Sequence, residues 1–205
     1  MSENYYYEPK NGHGLPHDPF NSIISPRPIG WISSQSKLGV INLAPYSFFN
    51  AFNYTPPIIG FSSIGYKDTV QNIEETGEFV WNLVTKDLIH KMNRTSEHFS
   101  KEINEFSKAN LEQTNSKLVK PPRVKQSPVN FECKNTQIIQ INDLKKTKLK
   151  TWLILGEVVA VHIKKNLLKN GLYRTTKANH ILRGGGQGDY FMIGEEQLIK
   201  MLRPD

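Results

Sequence analysis

Arg27-Pro28-Ile29-Gly30-Trp31-Ile32-Ser33-Ser34, running on to Asn42-Leu43-Ala44-Pro45-Tyr46-Ser47, is the stretch that decides the fold. It reads as two short strands joined by a turn at Gln35-Ser36-Lys37, ending in a polar, proline-stiffened segment able to offer backbone N–H groups to a ligand. Strand-like runs at 27–34, 38–43, 58–63 and 78–85 are each bounded by Gly, Pro, Ser or Asn. Pro56-Pro57 interrupts the approach to the third. Two longer runs, 129–141 and 151–163, follow later, and the second is dense in Val, Ile and Leu. Nothing alternates strand with long helix as a doubly wound sheet would, so the pattern predicts an antiparallel sheet closed into a small barrel with a few helices attached.

The remaining segments decorate that body. Residues 1–20 are rich in Tyr, Gly, Pro and His, carry no periodicity, and predict an irregular arm. Residues 69–75 read as a short helix: Asp68 and Gln71 have capping-box spacing and Gly77 stands where a helix stops. From 87 to 110 the chain is polar with apolar residues at three- and four-residue steps, a helical insertion of one or two helices broken near 93–96. One domain spanning 1–205 accommodates all of this.

The 205 residues carry a formal charge of +7. Clustered basic side chains bind phosphate backbones, but the densest cluster, Lys145, Lys146, Lys148 and Lys150, falls on a turn between strands without any zinc-finger or RNP-like motif. It reads as solvated surface, and nucleic acid is not an expected partner. The same charge would draw in anionic nucleotides. A single cysteine, Cys133, excludes an internal disulfide, and no basic start leads into an apolar run, so a reducing cytoplasm is the expected address. No stretch is long and apolar enough to span a bilayer as a helix.

Gly65-Tyr66-Lys67-Asp68-Thr69-Val70-Gln71-Asn72 puts a lysine where a helix begins. Orphan amides at a helix start carry partial positive charge, and a cation beside them suits phosphate. The preceding Gly60-Phe61-Ser62-Ser63-Ile64-Gly65 nearly meets the Walker A pattern, but Tyr66 stands in the lysine position, so this is no P-loop. Without it, Lys67 supplies a point charge and Thr69 a hydroxyl. The competing reading is that Asp68 caps the amides itself and Lys67 is merely solvated.

Other chemistries find little footing. His13 and His17 have metal spacing only on a helix, which Gly14 and Pro16 disfavour; with one cysteine and no third histidine nearby, no metal is expected. Gly-x-Ser-x-Gly is absent, and Cys133 lies in an apolar strand where thiols are inert. Arg183-Gly184-Gly185-Gly186-Gln187-Gly188 reads as a turn rather than a G-x-G-x-x-G clamp, though its glycines suggest close approach to something bulky. A site without acid, base or nucleophile fits a redox cofactor that carries the chemistry itself.

Taken in order, Arg27 to Ser33, Asn42 to Ser47, Lys67-Asp68-Thr69 with Asn72, Phe131-Glu132-Cys133 and Gly156-Glu157-Val158-Val159 resemble the flavin reductase-like, FMN-binding split-barrel family, which includes nitrilotriacetate monooxygenase component B and flavoredoxin-like proteins. The resemblance implies a mainly β, six-stranded antiparallel split β-barrel, forming a homodimer with FMN at the subunit interface. By position, Ser33 and Ser34 with Asn42, Leu43, Ala44, Pro45, Tyr46 and Ser47 would line the ring and ribityl chain. Ser62, Ser63, Lys67 and Thr69 would hold the phosphate. It further implies an NAD(P)H-dependent oxidoreductase, with NADH or NADPH as co-substrate and a partner such as a monooxygenase. The family's Gly-Arg-Leu-Gly-Gly-like ending is replaced here by His180-Ile181-Leu182-Arg183-Gly184-Gly185, so an FMN electron carrier that does not use NAD(P)H stays open beside it, as does a non-catalytic basic barrel.

Overall fold

The computed structural model describes residues 3–100 and 103–204. Its main sheet is antiparallel and contains β1 (Gly30–Gln35), β2 (Ile41–Tyr46), β3 (Phe49–Asn53), β4 (Ile58–Ile64), β5 (Glu78–Asn82), β6 (Val129–Asn142) and β7 (Lys148–Ile163). The spatial order is β2-β1-β5-β6-β7-β4-β3. The sheet curls until its two edge strands, consecutive in the chain, lie near one another, and the Phe48 carbonyl between them accepts the Ser62 amide at 2.8 Å. This is the expected split barrel. Its seventh strand is β3, where Pro56-Pro57 belongs to the turn leading into β4 rather than to a mere interruption.

Burial follows the two-residue period of a strand, but on both faces. Ile32, Tyr46, Phe61, Phe79 and Ile154 fill the barrel. Trp31 and Leu43, on the other face of β1 and β2, join Leu88, Met92 and Phe106 in a second core beneath the insertion. Trp31 also donates its indole N–H to Thr95 Oγ1 at 3.0 Å. Among its described residues the insertion carries the short α-helices Ile89–Arg94 and Glu105–Lys108, the first entered through a 3-10 turn at Lys86–Leu88; positions 101 and 102 within it, like 1 and 2 of the arm, lie outside the described residues. The arm carries a short helix, Phe20–Ile23, within otherwise irregular chain.

Helix α1 (Asp68–Thr76) plugs the barrel with Val70 and Ile73, one turn apart. Gly77 ends it at φ 73°, in the left-handed region, and returns its N–H to the Ile73 carbonyl at 2.8 Å. The expected capping box is not formed: Lys67 is the N-cap and Asp68 the first helical residue, because Lys67 keeps extended backbone angles while Asp68 has already turned. Gly156 in β7 leaves room for the Phe79 ring, which a Cβ there would overlap.

Arg27 fastens three separate segments. Its guanidinium donates to the carbonyls of Asn21 in the arm, Ser47 at the end of β2 (3.1 Å) and Gly184 in the glycine-rich stretch (3.0 Å). Gly185 packs directly on Ser22, so the bulky neighbour its lack of a side chain accommodates is the arm. Around it the chain wraps Arg183, whose guanidinium donates to the carbonyls of Gly185, Gly186, Gln187 and Asp189 and sits 5.0 Å over the Tyr190 ring. No helix of the described residues is long and apolar enough to cross a membrane.

Candidate functional site

A cleft of about 300 Å3 opens between β2, the start of α1 and the insertion. Asn42, Ala44, Pro45 and Tyr46 form one wall and Lys67 and Thr69 the other, with Ser96, His98 and Glu105 at the mouth. The segment expected to follow a strand is itself an edge strand: β2 pairs with β1 from Ile41 to Tyr46, and Pro45, opposite Trp31, has no N–H to lose on the unpaired side.

A direct bond joins the walls, Asn42 Nδ2 donating to Thr69 Oγ1 at 2.7 Å. Lys67 is exposed at the rim, and its own side chain makes no capping hydrogen bond to the helix start it precedes. Below it, Tyr46 is 7% exposed, and its hydroxyl is the one buried side-chain polar atom among the described residues with no hydrogen-bond partner. Burial pushes that phenol up to about 12, with the Asp68 and Glu105 charges adding to the rise; the nearby Thr69 and Ser63 hydroxyls pull it back without closing a hydrogen bond to it. A buried donor left unmatched costs about 1–3 kcal/mol, and this one lies in the wall of a cleft that already has a cation and a helix start.

The other predicted residues go elsewhere. Ser33 is fully buried under the loop at 115–122 and donates to the Pro122 carbonyl, while Ser34 lies under α1 and accepts from Asn72 Nδ2 at 3.1 Å. Leu43 turns its side chain into the second core. Ser63 is buried beneath the cleft and donates to the Gly65 carbonyl at 2.9 Å. Ser62, on the opposite face of β4, lines a different, mostly apolar pocket of about 450 Å3 together with Phe20, Phe48, Phe49 and Arg27. Ser47 borders a smaller hollow beside Arg183 and Tyr190.

Ser96, His98 and Glu105 of the cleft went unanticipated, and Glu105 among them is bonded to a cleft wall. Glu105, the first residue of the helix Glu105–Lys108, accepts the Leu43 N–H with Oε2 at 3.1 Å, satisfying an amide on the unpaired side of β2. Burial raises its carboxyl above the usual range and the Asp68 charge adds to this, against the pull of the Leu43 amide and its own. Its only sequence signal was Asn104, which caps the Phe106 amide and so marks a helix start.

The curled half-barrel with a helix-start cleft at its edge defines the class. The flavin reductase like domain matches residues 23–181, and the chain belongs to that family. It is 40% identical over 182 residues to an uncharacterised protein of Aquifex aeolicus, covering 86% of this chain and 89% of that one. Among solved structures it is similar to nitrilotriacetate monooxygenase component B from Bacillus cereus, with TM-score 0.82, 28% identity and 97% of each chain covered. It is also similar to the 2-nitrobenzoate 2-nitroreductase of Pseudomonas fluorescens, with TM-score 0.78, 27% identity, and 90% and 88% covered.

Proposed function

We propose that the protein is an FMN-dependent oxidoreductase, a flavin reductase that oxidises NADH or NADPH and supplies electrons or reduced flavin to a partner such as a monooxygenase. The observation that carries the reading is the unmatched Tyr46 hydroxyl, buried beside Lys67 and the start of α1. A terminal phosphate would accept from that hydroxyl, from Thr69 and from Lys67 together. Asn42, Ala44 and Pro45 would lie along the ribityl chain, and Ser47 would lie toward the ring. Ser34 and Ser63 would support this wall from beneath. Bound FMN would supply the redox step, accepting hydride from the nicotinamide and passing electrons on. The protein's part is alignment, which can supply much of the acceleration without an acid or base.

The cleft's surroundings favour a homodimer with the flavin at its interface. Ile64 (66% exposed) and Tyr66 (45%) stand beside Lys67, and Leu149 (40%) is also left uncovered at the start of β7. A second copy would bury them, and light scattering should give a mass near twice 23.5 kDa; a monomeric mass removes the interface.

A second reading keeps the flavin without NAD(P)H. It is favoured by the glycine-rich stretch, which wraps Arg183 and packs on the arm instead of standing open to a dinucleotide. Freshly purified protein, or protein given FMN, should show bound-flavin absorption and oxidise NADH or NADPH in steady-state assays. Flavin binding without such oxidation selects the electron carrier. A colourless protein that binds no added FMN ends both.

A further inference from the structure

Glu105 faces the same cleft as Lys67, and nothing in its placement serves an anion. Its carboxylate reaches across from the insertion to the Leu43 amide of β2. Around it stand Asp68 at the start of α1, Tyr46 and Asn42 from β2, and Glu97 and His98 from the 95–99 segment. Glu97 pairs with Arg94 at 3.7 Å, and Lys67 is the lysine in the described lining, on the wall opposite Glu105. A second hollow, of about 350 Å3 between α1 and the β1–β2 turn, also has Glu105 in its wall, so the group stands where two water-accessible spaces meet and can exchange a proton with either.

We infer that Glu105 is a specificity-determining residue that opposes the phosphate end of the flavin while ionised, so that the preference for FMN over riboflavin is set by its protonation. This rests on the reading that the cleft holds the phosphate of FMN. Like charges a few ångströms apart in a partly buried cleft repel far more than they do in water. A dianionic phosphate brought beside Lys67 therefore meets an attraction and a repulsion of similar range. Neutralising Glu105 leaves the attraction. The elevated carboxyl pKa agrees, since burial and Asp68 already make the charge costly before any ligand arrives. Linkage is reciprocal: if a proton on Glu105 helps the phosphate bind, bound phosphate makes Glu105 take up a proton.

The sign follows. As pH falls through the raised pKa of Glu105, the charge is lost and the cleft becomes a better phosphate site. The phosphate's own second ionisation, near pH 6, works in the opposite direction, so riboflavin, which has no phosphate, and Glu105→Gln, which keeps an oxygen for the Leu43 amide, serve as the two references.

The test is a set of fluorescence titrations of FMN and riboflavin against wild type and Glu105→Gln between pH 5.5 and 8, with binding calorimetry at pH 7.5 in two buffers of different ionisation enthalpy. At pH 8 the substitution should tighten FMN about three- to tenfold at moderate salt and leave riboflavin unchanged. Wild type should take up protons on binding FMN, and the variant should not. Equal FMN affinity of the two proteins at pH 8, or identical proton uptake, overturns the inference while leaving the flavin site standing. Equal tightening of FMN and riboflavin also overturns it, because the effect would then be steric. Should wild type bind neither flavin, the parent reading falls first. Glu105→Ala, which removes the same charge, gives the comparison if Glu105→Gln does not fold, and its failure to separate FMN from riboflavin also counts against the inference.

Discussion

Glu132→Ala should lose about 3–5 kcal/mol of unfolding free energy. Glu132 is fully buried in β6 and accepts three hydrogen bonds: from the Lys117 amide at 2.8 Å, the Leu118 amide at 2.6 Å and His162 Nε2 at 2.5 Å. The two amides belong to the loop at 115–122, which also meets the barrel through Lys120 N–H on Glu78 (2.8 Å) and through Ser33 on Pro122. Truncation leaves buried donors unmatched and frees that loop. Burial by itself would raise the Glu132 carboxyl, but the two amides and His162 outweigh it and hold the pKa below the usual range. A carboxyl depressed in the folded state contributes its stabilisation in full above the unfolded value, about 4.3, and loses it as pH falls through the folded value. Urea unfolding of wild type and Glu132→Ala should therefore diverge widely at pH 7 and draw together toward pH 3. A gap that stays constant with pH would show that packing rather than charge is at stake.

Lys67→Ala should weaken FMN roughly 10- to 100-fold, from the loss of a charge-assisted hydrogen bond to phosphate of about 1.5–3 kcal/mol. Riboflavin should bind the variant and wild type alike. Because Lys67 is exposed and its side chain caps nothing, the melting temperature should move by less than a degree or two. Fluorescence quenching with each flavin measures the first two expectations and calorimetric melting the third. An unchanged FMN affinity would take Lys67 out of the site and leave Tyr46 without its phosphate partner.

Much of the fold could be read from the chain because its strands obey local rules. The 27–34 and 151–163 runs are rich in β-branched and aromatic residues and bounded by turn formers, and Gly77 stops α1 in the left-handed conformation that residue allows. Strand β3 escaped because Phe49-Asn50-Ala51-Phe52-Asn53 looks like turn chemistry; it holds an exposed edge where packing makes few demands. The cleft was half legible. Lys67 and Thr69 follow from a helix start, and Asn42 to Tyr46 from a stiffened segment. That Ser33 would be buried under the 115–122 loop and Ser34 under α1 could not be told from a strand buried on both sides, where the usual polar alternation is erased. Glu105 was hidden for a different reason. It meets Leu43 across 62 positions, and no local pattern reports that a carboxylate will be delivered to the edge of a distant strand.

Arg27 has a practical consequence for anyone who labels or immobilises this molecule. One cationic fork ties the segments around 21, 47 and 184 together, so traction on the arm or on the glycine-rich stretch is transmitted to the rim that a ligand would touch. The Asp143 to Thr147 turn, held by its own short hydrogen-bonded ring and bonded to none of those segments, is the handle to choose instead.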